Sequence, residues 1–385
     1  MRTSRIAATL LTVGGLLAAA ACGTNNNKAA TSTSSTPAPS SSASAGAGSS
    51  SAASASAPAA PACVAGQLNG QGSTFQANME TQWTKDFGAQ CAGAQVSYQG
   101  TGSGAGITSL GNGTADFAGS DVTMKDTEQT AANAGCGSTA ITIPITAGGV
   151  GITYNLKGVT SLKLSTKTVA GIFDGKITKW NDPVIAADNG GATLPSTPIS
   201  VFYRNDSSGT TGVFTAYLVA DAASDWTLGT SKTITFFGGA QGAKGSSGVS
   251  AGVKQTDGGI TYIETSYAKG QSLPVASIKG VGTDFVDPTT DTVSKGIAEG
   301  FSITGSGSDL AGKMDYTKMM TGYPISTVSY ALACTKYKDA TKGSLVKSYL
   351  YYAISKGQAA ADGLGYAPLP ADLVAKGETS ISAIS

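Results

Sequence analysis

The chain has 385 residues, of which 41% are apolar and 13% charged, with 52 glycines, enough for about two globular domains and unlike a fibre or a polyelectrolyte. The formal net charge of +1 gives no global field for binding nucleic acid. The chain contains no histidine, which excludes Ser-His-Asp and Cys-His triads and every histidine-ligated metal site.

Residues 1–21 have the pattern of an export signal. Arg2 and Arg5 precede an apolar stretch over residues 6–21, which is shorter than the roughly 18 residues that span a membrane. Its end, AAAC over residues 19–22, resembles the lipobox of bacterial lipoproteins and predicts cleavage before an acylated Cys22. Ordinary secretion, with Cys22 free or paired, is the alternative.

Residues 22–62 are predicted to form a tether after the lipidated cysteine. From residue 29 to residue 62 every side chain belongs to Ala, Ser, Thr, Pro or Gly. Such a composition has no large apolar group to offset chain entropy, so we expect it to be disordered. As a flexible coil it would place the folded body about 30 Å from its anchor.

Four cysteines remain if Cys22 carries lipid: Cys63, Cys91, Cys136 and Cys334. An even number in an exported chain favours two disulfides, for which three connectivities exist. The favoured pairing joins Cys63 to Cys91, because they bracket a predicted strand and helix that return to the same end of the sheet. It leaves Cys136 with Cys334. A metal site is the competing interpretation, but the spacings are long and no CxxC occurs.

From residue 63 onward, predicted strands, small-residue loops and helices alternate, which favours an α/β fold. The first junction follows a predicted strand over residues 64–68 and reads GQGSTF over residues 70–75. Apolar residues then recur every fourth position and predict a helix with a buried stripe formed by Phe75, Met79, Trp83 and Phe87.

Two further junctions have the same chemistry. A predicted strand over residues 95–98 leads into GTGSGAG (100–106) and a second predicted helix. A predicted strand over residues 199–203 leads into RNDSSGTT (204–211) and a third helix, whose apolar residues are Val213, Phe214, Tyr217 and Leu218.

These junctions place glycines and hydroxyls at the starts of helices. Glycine lets a ligand approach the backbone, hydroxyls donate hydrogen bonds, and helix N-termini present unpaired N–H groups and a positive dipole end. Ordinary capping and turn formation, which use the same residue types, are the alternative. Three such junctions, one with Arg204 as a fixed cation, favour an oxyanion ligand.

Motifs for nucleotide binding and ester hydrolysis are absent. The P-loop pattern GxxxxGK[ST] does not occur, and neither Ser73 nor Ser103 lies in GxSxG. An exported phosphohydrolase is the enzymatic alternative. It would need a nucleophile or a metal cluster, and the sequence shows no dense carboxylate group beyond Asp116 and Asp121.

Taken in order, the motifs resemble those of the PstS family of phosphate-binding proteins. The resemblance covers the chain from about residue 66 to its end and rests on four ligand motifs and three sequences between them. They are GQGSTF (70–75), YQGTGSGAG (98–106), DFAGSD (116–121), RNDSSGTT (204–211), FDGKITKWNDP (173–183), GGITYIE (258–264) and GYPI (322–325).

The resemblance implies a two-domain α/β fold, that of a type II solute-binding protein. Each domain would be a mixed, mainly parallel sheet flanked by helices, with the ligand cleft between the domains and two chain crossings joining them. Domain I would comprise residues 63–147 plus 323–385, and domain II residues 148–322.

Carried over position by position, the resemblance implies a phosphate-binding set of eight residues and no metal, cofactor or catalytic residue. The eight are Thr74, Phe75 (through its backbone N–H), Ser103, Asp121, Arg204, Ser208, Gly209 and Thr210. Asp206 is expected to hold Arg204. The sequence departs from the family in Ser73, where alanine is usual, and in NDS over residues 205–207, but neither change removes a predicted donor.

The resemblance also implies the partners: inorganic phosphate, two permease subunits of an ABC importer and the ATPase that drives import. We expect a monomer, anchored by lipid at Cys22 to the outer face of the cell membrane, with no nucleic-acid partner. The alternatives are a surface adhesin or sensor that has lost ligand binding, and a different tetrahedral anion with the same protonation, such as arsenate.

Overall fold

The computed structural model describes residues 58–385. The predicted signal, Cys22 and the tether up to residue 57 lie outside the described residues. Over residues 58–385, no helix is both long enough and apolar enough to cross a membrane.

The described part of the chain contains twelve strands and twelve α-helices. The strands are β1 (Gly66–Gly72), β2 (Ala94–Gly100), β3 (Phe117–Ser120), β4 (Ala140–Asn155), β5 (Lys163–Ser165), β6 (Ser200–Arg204), β7 (Gln241–Ala243), β8 (Gly259–Glu264), β9 (Ser277–Lys279), β10 (Phe301–Ile303), β11 (Gly312–Met314) and β12 (Ser326–Cys334). The helices are α1 (Ala77–Gln90), α2 (Ser103–Gly111), α3 (Asp126–Cys136), α4 (Thr166–Phe173), α5 (Pro183–Asp188), α6 (Gly209–Asp221), α7 (Gly245–Gln255), α8 (Thr265–Gln271), α9 (Thr290–Gly300), α10 (Ala340–Ile354), α11 (Ala361–Leu364) and α12 (Ala371–Ser382).

Eight strands form one mixed sheet in the order β2-β1-β3-β12-β4-β8-β6-β7. Within it, β1 is parallel to β2 and β3, and β6 is parallel to β7 and β8, whereas β12 is antiparallel to β3 and β4. We refer to residues 63–147 with 323–385 as the first half and to residues 148–322 as the second half. Their division into separate domains remains a prediction.

The core follows the two central strands. All nine residues of β12 are buried, and so is every residue of β4 except the last. Strands that are covered on both faces have near-continuous buried runs instead of alternating ones. β4 pairs with β12 through its first part and with β8 through its last six residues, so one strand serves both halves of the sheet.

The first predicted strand is displaced in the structure. β1 begins at Gly66 and continues through the segment expected to be a loop, ending at Gly72. Gly70 packs against the ring of Phe117, which a Cβ at this position would meet at 2.2 Å, so the close approach requires glycine. α1 begins only at Ala77, and the predicted apolar stripe is confirmed as core, with Phe75 buried just ahead of the helix.

Both pairs of cysteines are bonded in the structure. Cys63 joins Cys91 at the end of α1 with their Cα atoms 5.3 Å apart, and Cys136 at the end of α3 joins Cys334 at the end of β12 at 5.4 Å. The second disulfide links positions 198 residues apart and fixes the last strand of the first half to its third helix.

The carboxyl ends of the parallel strands set the position of the candidate site. In the first half, β1 and β2 lead into α1 and α2, and Asp121 directly follows β3. In the second half, β6 and β7 lead into α6 and α7. Ligands of open α/β sheets bind outside these strand ends, where the helix N-termini also lie.

Candidate functional site

The loop after β1 provides two side chains and one backbone N–H. Ser73 Oγ accepts the N–H of Phe75 at 2.9 Å and donates to Asp121. Thr74 Oγ1 accepts from Arg204 Nη1 at 2.9 Å, which joins the first half to the second. All three loop residues are buried, Thr74 being 5% exposed. In this structure, therefore, the Ser73 hydroxyl is the partner of the Phe75 N–H that was predicted to hold an anion.

Ser103 is the first residue of α2 and lies where the two halves meet. It follows Gly102, whose φ of 98° falls in a region that favours glycine. Its hydroxyl oxygen accepts the N–H of Asp121 at 3.3 Å and the N–H of Gly209 at 3.1 Å. Because Gly209 begins α6, this single hydroxyl brings two helix N-termini together.

Asp121 is a buried carboxylate, only 3% exposed, and its oxygens accept hydrogen bonds from hydroxyl groups. Ser73 and Ser329 donate to its Oδ1, the latter at 2.7 Å, and Thr210 donates to Oδ2 at 3.2 Å. Burial raises the pKa of Asp121, and the hydrogen bonds and the charge of Arg204 oppose that rise without cancelling it. The site thus contains a buried acid that can accept hydrogen bonds when ionised and donate one when protonated.

Arg204 provides a buried guanidinium at the end of β6, 2% exposed. Its Nε and Nη2 donate to the two oxygens of Asp206 at 2.6 Å and 2.5 Å, as predicted for that pair by the family resemblance. Burial alone would raise the pKa of Asp206, but the hydrogen bonds and charge of Arg204, with the N–H of Gly245, hold it below its ordinary value. The fork fixes the guanidinium and directs Nη1 towards Thr74.

The start of α6 supplies the remaining predicted residues. Ser208 is the N-cap, and its Oγ accepts the N–H of Thr211 at 3.2 Å. A Cβ on Gly209 would lie 2.4 Å from Ser103 Oγ and 2.8 Å from Asp121 Cβ, so the contact between the halves requires glycine here. The structure therefore brings all eight predicted residues into one buried cluster, with the half-buried Asp206 beside Arg204.

Sequence reasoning missed two serines of this cluster. Ser246 lies in the first turn of α7, and its Oγ is 2.8 Å from Thr74 Oγ1. The sequence KGSSG over residues 244–248 could have indicated this serine, because it combines glycines and hydroxyls as the other three junctions do. Ser329 lies inside β12, where no local pattern distinguishes it. Over residues 58–385 there is no group of three or more Cys, Asp or Glu side chains arranged to hold a metal ion.

Comparisons with known proteins identify relatives over most of the chain. A family model described as a PBP superfamily domain matches residues 57–356. The phosphate-binding protein PstS 2 of Mycobacterium tuberculosis is 44% identical over 326 residues, covering 83% of this chain and 87% of that protein. The phosphate-binding protein PstS of Xylella fastidiosa is 32% identical over 318 residues, covering 80% and 83%.

The solved structures give the same result. A high-affinity periplasmic phosphate-binding protein, bound with phosphate at pH 8.5, superposes with a TM-score of 0.64 at 25% identity, covering 80% of this chain and 92% of that one. The predicted fold class is confirmed, and residues 57–356, which the family model matches, contain every residue of the cluster. This chain belongs to the PBP superfamily of solute-binding proteins and, within it, to the PstS phosphate-binding proteins.

Proposed function

We propose that the protein binds inorganic phosphate outside the cytoplasm and delivers it to an ABC permease for import. The observation that carries the proposal is the buried convergence of the N-termini of α2 and α6, the guanidinium of Arg204 and the carboxylate of Asp121. The relatives are named as binding proteins, and the chain is a binding protein and not an enzyme.

Hydroxyls and backbone N–H groups would hold most of the anion. A buried phosphate has lost its water and must recover those hydrogen bonds from the protein. Thr74, Ser103, Ser208 and Thr210 have hydroxyls that can donate, and the first turns of α2 and α6 add N–H groups at positive dipole ends. We assign these hydroxyls to the ligand, together with the N–H groups of Phe75 and Gly209, the guanidinium of Arg204 and the carboxylate of Asp121.

Net charge contributes little to binding in this arrangement. Arg204 is the cation of the cluster, and Asp206 neutralises it through two hydrogen bonds. Asp121 adds a further carboxylate. Oriented dipoles therefore stabilise the anion, and the affinity should depend only modestly on salt.

Asp121 gives the site its selectivity. A carboxylate that faces an anion is repulsive unless it accepts a hydrogen bond from a protonated ligand oxygen. Phosphate carries such a proton near neutral pH and sulfate does not, so sulfate would leave two acceptors unpaired. The resulting penalty of several kcal/mol corresponds to at least about a hundredfold in affinity.

Binding would couple to closure of the two halves. Contacts that join them directly include Gly209 N to Ser103 Oγ, Thr210 to Asp121 and Arg204 to Thr74. We propose that residues 63–147 plus 323–385 and residues 148–322 act as domains that close on the ligand through these groups. The closed form is what two permease subunits and their ATPase would recognise.

The location of the protein rests on the residues before the described part. We propose that Cys22 is acylated after removal of residues 1–21, and that residues 22–62 tether a monomeric binding protein to the outer face of the cell membrane. Metabolic labelling with palmitate tests this: the wild-type chain should take up label in the membrane fraction, and Cys22→Ala should lose the label and be secreted. Release of unlabelled wild-type protein would contradict the anchor.

Calorimetric titration tests the binding function. The purified protein is first stripped of carried ligand by partial unfolding and dialysis, and then titrated with phosphate and with sulfate near neutral pH. Tight one-to-one binding of phosphate without sulfate heat is the expected result. No heat with either anion would overturn the proposed function and favour an adhesin or sensor.

A further inference from the structure

The first turn of α7 presents a serine to the cluster described above. Ser246 is fully buried, whereas its neighbour Ser247 is exposed. Ser246 Oγ lies 2.8 Å from Thr74 Oγ1 and accepts from Arg204 Nη1 at 3.4 Å. Both partners belong to the set assigned to phosphate, one from each half.

These three polar atoms form a triangle. Its sides are 2.9 Å between Arg204 Nη1 and Thr74 Oγ1, 2.8 Å between Thr74 Oγ1 and Ser246 Oγ, and 3.4 Å between Ser246 Oγ and Arg204 Nη1. An atom above the centre of such a triangle can be about 3 Å from all three corners, the ordinary length of a hydrogen bond. A ligand oxygen positioned there to accept from Arg204 and Thr74 is also within reach of Ser246.

The position of Ser246 is fixed by the same carboxylate that fixes Arg204. The N–H of Gly245 donates to Asp206 Oδ1 at 3.1 Å, and that oxygen also accepts from Arg204 Nε. Gly245 has a φ of 70°, a conformation that suits glycine. Asp206 therefore connects the guanidinium to the turn that carries the Ser246 hydroxyl.

The Ser246 hydroxyl has no part in starting its own helix. The N-cap of α7 is Lys244, and no side chain caps this helix. The hydrogen-bond partners of Ser246 Oγ lie outside α7, on Thr74 and Arg204. A buried serine that is not needed as a cap, and that faces two ligand groups, is placed as a donor to the ligand.

We propose that Ser246 is a further ligand of phosphate, donating its hydroxyl to the oxygen that Arg204 and Thr74 also hold. This inference rests on the proposed function. Arg204 can only donate, and the hydroxyls of Thr74 and Ser246 can donate alongside it, so the triangle suits an unprotonated oxygen. Asp121 takes the protonated oxygen, and the two positions together orient the anion.

Two neighbouring serines provide a matched test. Ser246→Ala and Ser247→Ala each remove one hydroxyl from the same turn, and only the first removes a proposed ligand. We expect Ser246→Ala to raise the dissociation constant for phosphate by about tenfold to a hundredfold, as for one hydrogen bond to a charged group, and Ser247→Ala to leave it unchanged. The full chain is used, with phosphate titrated in a calorimeter.

The melting temperature of the phosphate-free proteins distinguishes a ligand from a scaffold residue. A loss of affinity in Ser246→Ala with an unchanged melting temperature supports the inference. Wild-type affinity in Ser246→Ala overturns it, and so does a loss of affinity accompanied by a matching loss of stability. If wild-type protein itself gives no phosphate heat, the proposed function fails, and the inference fails with it.

Discussion

Asp206 binds Arg204 through two parallel hydrogen bonds, from Nε at 2.6 Å and from Nη2 at 2.5 Å. The guanidinium is therefore held at a fixed angle in a buried position, and its third nitrogen remains for Thr74 and, in the proposed function, for phosphate. Charge alone does not reproduce this arrangement, because an ammonium group has neither the planar fork nor a second nitrogen.

Arg204→Lys should weaken phosphate binding by at least about a hundredfold, since it loses the fork and leaves Asp206 Oδ2 without its partner. Calorimetry at neutral pH measures the change. Lys376, which is exposed and forms an i,i+4 pair with Asp372, supplies the control Lys376→Arg, expected to bind as the wild type does. Affinity within a few fold of wild type in Arg204→Lys would show that only the positive charge matters.

Asp121→Asn should relax the rejection of sulfate while retaining phosphate, because an amide offers both an acceptor for the protonated oxygen and a donor for an unprotonated one. Competition between the two anions, measured as the ratio of their dissociation constants, is the readout. Asp372→Asn on the exposed face of α12 is the control. Unchanged rejection of sulfate in Asp121→Asn would refute the role assigned to this carboxylate.

Ser329→Ala removes a donor to Asp121 Oδ1 at 2.7 Å. Hydrogen bonds to the ionised form lower a pKa, so the substitution should move the already raised pKa of Asp121 further up. As pH falls through that pKa, Asp121 protonates and stops accepting, so the variant should lose discrimination against sulfate at a higher pH than wild type. Anion competition across the pH range measures this.

The control for that experiment is Ser250→Ala, since Ser250 is equally buried but donates to Ser247 within α7. It should keep the wild-type pH profile. Superimposable profiles for Ser329→Ala and wild type would show that Ser329 does not act on Asp121.

Gly209→Ala should prevent the two halves from meeting at the site. The added Cβ would lie 2.4 Å from Ser103 Oγ, much closer than atoms pack. Phosphate affinity should fall by at least about a hundredfold. The displaced groups of the site would no longer reach the anion, and the loss of one hydrogen bond to a charged group accounts for most of that factor. At Gly238 a Cβ would meet nothing within 4 Å, so Gly238→Ala is the matched control. Full affinity in Gly209→Ala would contradict the closed contact.

The buried carboxyl group of Glu264 should make stability depend on pH. Burial raises its pKa from 4.5 to about 8. The folded chain then binds this proton more tightly than the unfolded chain, so the contribution of Glu264 to stability is fully present below about pH 4.5 and is lost as pH rises to about 8. Glu264→Gln, which stays neutral, should reduce the loss of melting temperature between acidic and alkaline pH by several degrees.

Glu299→Gln provides the contrast, because the hydrogen bonds of Thr321 and Gly322 outweigh burial and lower the pKa of Glu299. Its variant should keep the wild-type dependence above neutral pH. Identical melting curves for Glu264→Gln and wild type at every pH would show that Glu264 does not contribute to the pH dependence of stability.

The junction motifs pointed to the candidate site because the same glycine and hydroxyl residues recur wherever a strand leads into one of its helices. The junctions that contain Ser103 and Gly209 were found from local glycine and hydroxyl patterns, the family resemblance singled out the two residues, and the structure joins them at 3.1 Å. The extent of β1 was not predictable in this way. Its glycines suggest a loop, and only pairing with β2 and β3 makes them a strand through Gly72.

Contacts over long sequence separations account for the other omissions. Ser329 reaches Asp121 across 208 positions, from within a buried strand whose local pattern favours packing alone. Ser246 reaches Thr74 across 172 positions, although its own junction could have been read from sequence. What local patterns supply is the list of candidate donors, and tertiary structure decides which of them share a carboxylate or a guanidinium.

β4 has a consequence for any attempt to dissect the protein genetically. Its first part pairs with β12 and its last six residues pair with β8, so a single strand holds the two halves together. A fragment ending at residue 147 would contain the first part of β4 without its partner β12, and residues 148–322 alone would begin inside the severed strand. Unpaired inner strands are templates for intermolecular pairing, so such fragments should aggregate when expressed separately and regain solubility when co-expressed.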